Sequence, residues 1–121
     1  MDVYRGRLTQ AFQETAREIA DIDDQLQGLA LDDTAAEGVD NHPADDSDQL
    51  FERERLMTIR GELVDRRLAI QGAMQKLDDG TYGICERCGK PIAPERLEAL
   101  PFARYCLDCQ NILDREGRPR R

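Results

Sequence analysis

Two stretches of the chain carry apolar residues that recur at alternating steps of four and three residues. This spacing places them on one face of an α-helix with a 3.5-residue repeat, the pattern of a coiled-coil seam. In the first stretch the seam positions are Leu8, Phe12, Thr15, Ile19, Ile22, Leu26 and Leu29. In the second they are Leu56, Ile59, Leu63, Arg66, Ile70, Ala73 and Leu77. The pattern predicts helices over about residues 3–31 and 43 or 48–78, paired as a long antiparallel hairpin.

One polar residue interrupts each seam. Thr15 does so in the first seam, and Arg66 in the second is expected to extend its guanidinium out to solvent. Four further apolar residues widen the second stripe and are expected to share its buried face: Met57, Val64, Leu68 and Met74.

Local signals mark both ends of the second helix. Pro43 suits a first helical position, and the acids that follow it favour the positive end of the helix dipole. Asp79 followed by Gly80 is a helix stop. The connection between the two helices is therefore predicted as the tip of the hairpin.

The net charge of −8 is concentrated in and around this connection. Eight acids and no Lys or Arg lie between Asp32 and Glu52, and the other 17 acids balance the 17 bases. This excess disfavours nonspecific binding to duplex DNA, because such binding depends on Lys and Arg neutralising phosphates. Clustered carboxylates at a helix start can cap the helix, improve solubility or coordinate Mg²⁺, and the residues alone leave all three roles open.

The four cysteines of the chain follow the pattern C-x2-C-x17-C-x2-C. They are Cys85, Cys88, Cys106 and Cys109. Two residues between paired cysteines allow a tight turn that directs both sulfurs at one ion, and Gly89 can take the positive φ that such a turn needs. The spacing predicts one Zn²⁺ bound by four thiolates. Because these ligands leave no coordination position for substrate, we expect a structural zinc and no enzyme.

Disulfide bonds and thioredoxin-like redox chemistry are the two alternatives to a metal site for these cysteines. The polar opening over residues 1–7 is unlike a signal peptide, so the oxidising compartment that disulfide bonds would require has no support. No strand is predicted before Cys85, whereas a redox C-x-x-C usually belongs to a βαβ unit. No apolar run approaches the ~20 residues of a membrane span, so no membrane partner is expected.

Length and pattern together predict a mainly α fold in two parts. The first is a coiled-coil hairpin over residues 1–79 with an acidic tip at about 32–48. The second, over 80–121, is a four-cysteine zinc finger that ends in a short helix and a basic tail. In that helix Leu107, Ile112 and Leu113 are expected to share a face over the zinc turn. The arginines of the basic tail are Arg115, Arg118, Arg120 and Arg121.

The cysteine segment resembles the zinc finger of the DksA/TraR family. The residues that carry the resemblance are YGICERCGKPI at 82–92, RLEALP at 96–101 and YCLDC at 105–109. The likeness extends to the hairpin, where DNHPAD at 40–45 and LFERE at 50–54 are similar to the tip and helix start of the branch typified by the Bacillus YteA proteins.

The resemblance implies a bacterial, cytoplasmic transcription factor that binds RNA polymerase directly. It implies that the hairpin enters the secondary channel and brings tip carboxylates near the catalytic centre, without sequence-specific contact to DNA. A carboxylate at a Mg²⁺-dependent site can ligate the metal or perturb its surroundings without covalent chemistry.

The tip departs from the family pattern. The family's Asp-x-x-Asp-x-Ala tip aligns with residues 42–47, so Asp45 keeps one aspartate in register and His42 replaces the other. A single histidine without a partner cluster is more simply an exposed residue at a helix start than a ligand. Asp40 or Asp46 could supply the second carboxylate, and Ser47 stands at the alanine position. The expected tip residues that act on polymerase are therefore Asp40, His42, Asp45, Asp46 and Ser47.

The second helix also departs from the family at its base. Glu62, Asp65 and Ala69 occupy positions at which family members use basic residues to hold guanosine tetraphosphate. Two acids repel a polyanion, so dependence on guanosine tetraphosphate is expected to be absent or reorganised.

Two other functions stay open. One is a zinc-stabilised coiled-coil interaction module for another protein partner. The other is a zinc finger that binds nucleic acid, although acids in the same segment offset its positive charge. The cations that this second function would use are Arg87, Lys90, Arg96 and Arg104.

Overall fold

The structure is a computed structural model that describes residues 2–35 and 43–117. It contains four helices within these ranges: α1 (Asp2–Ala35), α2 (Pro43–Asp79), α3 (Pro94–Ala99) and α4 (Leu107–Arg115). The β-structure of the described residues is one isolated antiparallel bridge between Ile84 and Pro91. The mainly α fold predicted from the sequence is thereby confirmed.

The two long helices pair in antiparallel orientation, as predicted. Among the described side chains, three ion pairs join the two helices. In these pairs the residue number on α2 falls as the residue number on α1 rises. They are Arg5–Asp78 at 3.0 Å, Glu18–Arg66 at 3.6 Å and Asp23–Arg60 at 2.6 Å. Because all six side chains remain substantially exposed, solvent screens these pairs, and they serve mainly to maintain the register.

The hairpin core consists of two apolar clusters. The cluster near the base contains Leu8, Ile70 and Ala73, and the second cluster, farther from the base, contains Ile19, Ile22, Leu56 and Leu63. Thr15 is buried between them, and Arg66 leaves the seam to pair with Glu18. The two polar interruptions seen in the sequence thus coincide in the structure with a break in the apolar core.

The widened stripe on α2 is only partly buried. Val64 and Met74 are half-buried against the two clusters, as expected. Met57 and Leu68 are exposed, with 54% and 60% of their surface accessible, so this part of the prediction is wrong. The physical reason is that these two residues lie on the side of α2 that faces away from α1, and the finger residues near Leu68 leave most of its surface accessible.

The observed helix boundaries extend the predicted ones. Helix α2 begins at Pro43 and ends at Asp79, and Gly80 follows with φ of 79°. The amide of Thr81 donates to the carbonyl oxygen of Lys76 at 2.9 Å, which closes the helix end in the manner of a Schellman motif. Helix α1 continues to Ala35, four residues past its predicted end.

The base of the hairpin and the cysteine segment share one apolar cluster. Tyr82, Ile92 and Leu97 pack with Leu8 and Ile70 in this cluster. The ring of Tyr82 lies 5.3 Å from that of Tyr4, centroid to centroid, and its hydroxyl donates to the carbonyl oxygen of Pro101 at 2.6 Å. Burial raises the pKa of Tyr82 to about 12. The division of the chain at residues 79/80 stays a prediction.

None of the helices within the described ranges combines the length and the apolar character that crossing a membrane requires.

Candidate metal centre and hairpin tip

The first cysteine pair lies on a tight turn. The amide of Cys85 donates to the carbonyl oxygen of Lys90 at 2.9 Å. The amide of Gly89 donates to the carbonyl oxygen of Cys85 at 3.0 Å. Gly89 has φ of 77°, as predicted, a conformation that a residue with a side chain rarely adopts. This backbone brings Cys85 and Cys88 to the same side of the turn.

The second cysteine pair begins helix α4. Cys106 is the N-cap residue of α4, and Cys109 lies buried in its first turn. Ile112 and Leu113 are half-buried, as expected, but Leu107 is 58% exposed and does not share their face. The prediction for Leu107 is wrong because residues five and six positions apart lie more than about 100° apart around a helix. Gly117, with φ of 73°, follows the helix end.

The four sulfurs form a compact set that fits one metal ion. All four ligand atoms lie within 4.8 Å of one another. The sulfurs of Cys88 and Cys106 are 3.9 Å apart, far beyond the about 2.05 Å of a disulfide bond. A tetrahedral zinc with Zn–S bonds of about 2.3 Å requires sulfurs about 3.8 Å apart. Distance, ligand number and ligand type therefore all suit one structural Zn²⁺.

Hydrogen bonds and one cation surround the thiols. Burial acts to raise the pKa of Cys85, but the backbone amides of Cys88, Cys106 and Arg87 lower it to about 6. The guanidinium Nη1 of Arg87 lies 3.7 Å from the sulfur of Cys109, whose pKa burial raises to about 12. A thiol loses its proton when it binds Zn²⁺, so zinc binding at this site is expected to release protons. Arg87 is well placed to offset part of the negative charge of four thiolates.

A second cluster of charges joins the metal turn to α2. Glu86, between the first two ligands, pairs with Lys76 of α2 and with Arg104, whose Nη2 is 3.0 Å from its carboxylate. The amide of Glu86 also donates to the carbonyl oxygen of Arg104 at 2.9 Å. The hydrogen bond from Arg104 holds the pKa of Glu86 below its usual value, against the effect of burial, and Lys76 adds to this lowering. Glu86 thus links three separate segments.

Replacing Glu86 by glutamine should weaken the attachment of the metal turn to α2. Because the cluster is partly exposed, we expect a loss of about 1 kcal/mol in unfolding free energy at neutral pH. A lowered pKa stabilises the folded state above the usual glutamate pKa, and this stabilisation is lost as pH falls through the folded value. The difference in unfolding free energy between wild type and Glu86→Gln should therefore become smaller at acidic pH.

Urea unfolding of the zinc-loaded proteins measures this effect, with Glu95→Gln as control because Glu95 is exposed and makes no ion pair among the described residues. If wild type and Glu86→Gln were equally stable at neutral pH, the ion pairs of Glu86 would not be what attaches the metal turn to α2.

The predicted tip residues are only partly within the described structure. Asp40 and His42 lie outside the described residues. Asp45, Asp46 and Ser47 belong to the start of α2, and Ser47 is exposed. Their role at the tip stays a prediction.

One element of the site was not predicted. Helix α3 lies between the two cysteine pairs, with Pro94 at its first position and Leu97 buried in the shared cluster. The signal available in the sequence was Pro94 followed by Glu95, a proline and an acid in a first helical turn. Leu97 is also close to Gly83, at which an added Cβ would approach the side chain of Leu97 to 3.4 Å.

Comparison with known proteins supports the interpretation of the metal site. Residues 80–115 match the model of the prokaryotic dksA/traR C4-type zinc finger. Two Bacillus subtilis proteins, General stress protein 16O and the uncharacterized protein YteA, are each 44% identical to this chain, over 75 and 64 residues. These stretches are 60% and 53% of this chain and 45% and 27% of the respective relatives.

A longer match covers most of the chain. The RNA polymerase-binding transcription factor DksA of Haemophilus influenzae is 30% identical over 107 residues, which are 87% of this chain and 65% of DksA. The chain therefore spans less than two thirds of each of these relatives. The solved structure of transcription factor DksA2 from Pseudomonas aeruginosa matches with a TM-score of 0.76, at 23% identity, over 98% of this chain and 85% of that one. The four-cysteine zinc site and the resemblance to the DksA/TraR proteins are thereby confirmed, and the relatives agree with the prediction that the chain is not an enzyme.

Proposed function

Residues 80–115 match the dksA/traR C4-type zinc finger, and on this premise we propose that the chain is a transcriptional regulator of that family that binds bacterial RNA polymerase. In this proposal the hairpin of α1 and α2 enters the secondary channel, and the acidic tip acts near the catalytic centre. The protein works in the bacterial cytoplasm and makes no sequence-specific contact with DNA.

The length and shape of the hairpin carry this proposal. Helices α1 and α2 have 34 and 37 residues, so at 1.5 Å per residue they reach about 50 Å from the zinc turn. Three of the ligand cysteines, Cys85, Cys106 and Cys109, share a cluster with the base of the hairpin, so the metal site lies at that end. A narrow rod with its acidic segment far from its base suits a channel that leads to bound Mg²⁺.

The charge pattern of the finger supports the absence of specific DNA binding. Three of its four candidate cations have partners within the protein. Arg87 faces the ligand sulfur of Cys109, Arg96 donates from Nε to the carbonyl oxygen of Tyr105 at 2.9 Å, and Arg104 pairs with Glu86. Cations held in this way are poorly available to phosphates.

Competition binding tests the proposal. Zinc-loaded protein is titrated onto bacterial RNA polymerase core in the presence and absence of a known secondary-channel factor. Displacement of one by the other supports the channel as the binding site. Binding without displacement would move the site elsewhere on polymerase, and no binding at micromolar concentration would contradict the proposal.

We also expect guanosine tetraphosphate to have little effect on this protein. Glu62 and Asp65 make no ion pair among the described residues, so no cation in the described part of the chain neutralises them for a polyphosphate. Equilibrium dialysis of labelled guanosine tetraphosphate against polymerase core, with and without the protein, should show no additional binding. Additional nucleotide bound only in the presence of the protein would overturn this expectation.

An interaction module for another protein is the second candidate. The exposed outer face of α2 favours it, because Leu50, Met57 and Leu68 recur there at steps of seven and eleven residues and are more than half accessible. Failure to bind polymerase, together with capture of a different partner through this face, would make this the better proposal.

A further inference from the structure

The four ligand sulfurs differ in their access to solvent. Cys85 and Cys109, one from each cysteine pair, are buried, whereas Cys106 is half-buried and Cys88 is exposed. A competing metal ligand from solvent therefore reaches the sulfurs of Cys88 and Cys106 first. Release of the metal also requires the two buried sulfurs to dissociate from it, so any contact that stabilises them as ligands slows this release.

Arg87 contacts both buried sulfurs. Its backbone amide donates to Sγ of Cys85 at 3.4 Å, and its guanidinium Nη1 donates to Sγ of Cys109 at 3.7 Å. The first contact lies within the turn of the first cysteine pair, and the second reaches α4, where Cys109 stands 22 positions farther along the chain. Arg87 therefore connects the two cysteine pairs through their buried members.

The guanidinium of Arg87 also brings a positive charge to a negative centre, because the charge of four thiolates exceeds that of one Zn²⁺. No other Lys or Arg within residues 80–117 donates to a ligand sulfur. Both Cys109 and Glu116, the C-cap residue of α4, attract this guanidinium, so it is drawn toward that helix. A hydrogen bond from a charged donor is stronger than a neutral one, and a nearby cation favours the thiolate over the thiol.

We propose that Arg87 determines how long the protein retains zinc, because it stabilises the buried sulfurs of Cys85 and Cys109 as thiolate ligands. The backbone amide acts on Cys85 and the side chain acts on Cys109, so only the second contribution depends on the identity of the residue. This role belongs to the metal site itself and does not require polymerase as the partner. Its failure would leave the proposed function unaffected.

The rate of zinc transfer from the zinc-loaded protein to an excess of a chelating dye tests this role. Arg87→Gln removes the guanidinium and keeps the backbone amide that donates to Cys85. We expect zinc release from this variant to be about tenfold faster than from wild type, which is the lower end of the usual effect of residues that support metal ligands, because Arg87 is exposed. Arg87→Lys restores a cation on a shorter side chain, so its rate should fall between those of wild type and Arg87→Gln.

Lys90→Gln is the matched control, since it removes a cation from the same turn. Lys90 is exposed, and its backbone carbonyl, which accepts from the amide of Cys85, is retained in the variant. We expect its zinc release to match wild type within about twofold, because solvent and salt screen a charge that contacts no ligand sulfur.

Cobalt substitution provides a readout that a general loss of structure would not produce. A hydrogen bond from a cation lowers the energy of the sulfur electrons, so its removal should shift the sulfur-to-cobalt charge-transfer band of Arg87→Gln to longer wavelength. The ligand-field bands report the tetrahedral arrangement of four sulfurs and should stay unchanged in this variant.

The inference is wrong if Arg87→Gln releases zinc at the wild-type rate, if Lys90→Gln releases it equally fast, or if Arg87→Lys releases it as fast as Arg87→Gln. An unshifted charge-transfer band in Arg87→Gln would also contradict it. If Arg87→Gln binds no zinc while Arg87→Lys binds one ion per chain, the positive charge is required at this position and the inference stands. Loss of zinc from both variants would overturn the role assigned to the charge.

Discussion

Replacing Cys88 by serine is expected to remove zinc and unfold the chain between about residues 82 and 110. Apart from the metal site, this segment has one β-bridge, two short helices, a shared apolar cluster and a few hydrogen bonds and ion pairs to hold it together. A structural zinc contributes on the order of 10 kcal/mol to the folding of a small finger, more than this cluster can replace. The loss should therefore affect the whole segment and not the altered turn alone.

The hairpin should survive this change in part. Leu8 and Ile70 lose Tyr82, Ile92 and Leu97 as neighbours, so the base of the hairpin should become less protected. The second cluster, with Ile19 and Leu63 at its centre, contains no finger residue and should persist. Zinc content by atomic absorption and amide hydrogen exchange along the chain measure both parts of this result.

Lys90→Ser is the matched control for this experiment. Lys90 is exposed beside the same turn, and its contribution there is a backbone carbonyl that serine retains. We expect the control to bind one zinc per chain and to show the same amide hydrogen exchange as wild type. If Cys88→Ser kept one zinc and its finger amides stayed protected from hydrogen exchange, three thiolates and the apolar cluster would be enough to fold the finger.

Replacing Asp45 by asparagine is expected to abolish the effect on transcription while leaving polymerase binding nearly unchanged. This prediction rests on the proposed function. Asp45 belongs to the start of α2, far along the hairpin from the cysteines, and is the aspartate that stays in register with the family tip. Asparagine keeps the shape of the aspartate side chain and removes its charge. Only an effect that depends on a carboxylate near Mg²⁺ should therefore disappear.

The measurement combines open-complex lifetime with binding to polymerase core. Asp48→Asn is the matched control, since it removes one exposed charge from the same helix three residues away. A loss of the transcriptional effect in both variants would indicate overall tip charge as the active property. Full activity of Asp45→Asn would contradict the tip mechanism and leave the binding proposal intact.

The sequence alone predicted those parts of the fold that depend on local spacing. The 3.5-residue repeat predicted both long helices because residues that share a helix face are set by the geometry of one helix. The paired C-x2-C turns predicted the four ligands because a four-residue turn brings two sulfurs together on its own. Gly80 and Gly89 adopt the positive φ expected of them because that preference belongs to the residue itself.

The tertiary structure decided everything that depends on how separate elements approach one another. Met57 and Leu68 follow the helical pattern as well as Val64 does, but only the position of α1 determines which of them is covered. Helix α3 is too short for a periodic signal, and Leu97 is buried only because the base of the hairpin is adjacent. The ion pairs of Glu86 and the contact between Arg87 and Cys109 join residues 10 to 22 positions apart, and no local preference encodes such distances. A local pattern determines which residues share a face, whereas the packing of whole elements determines what that face meets.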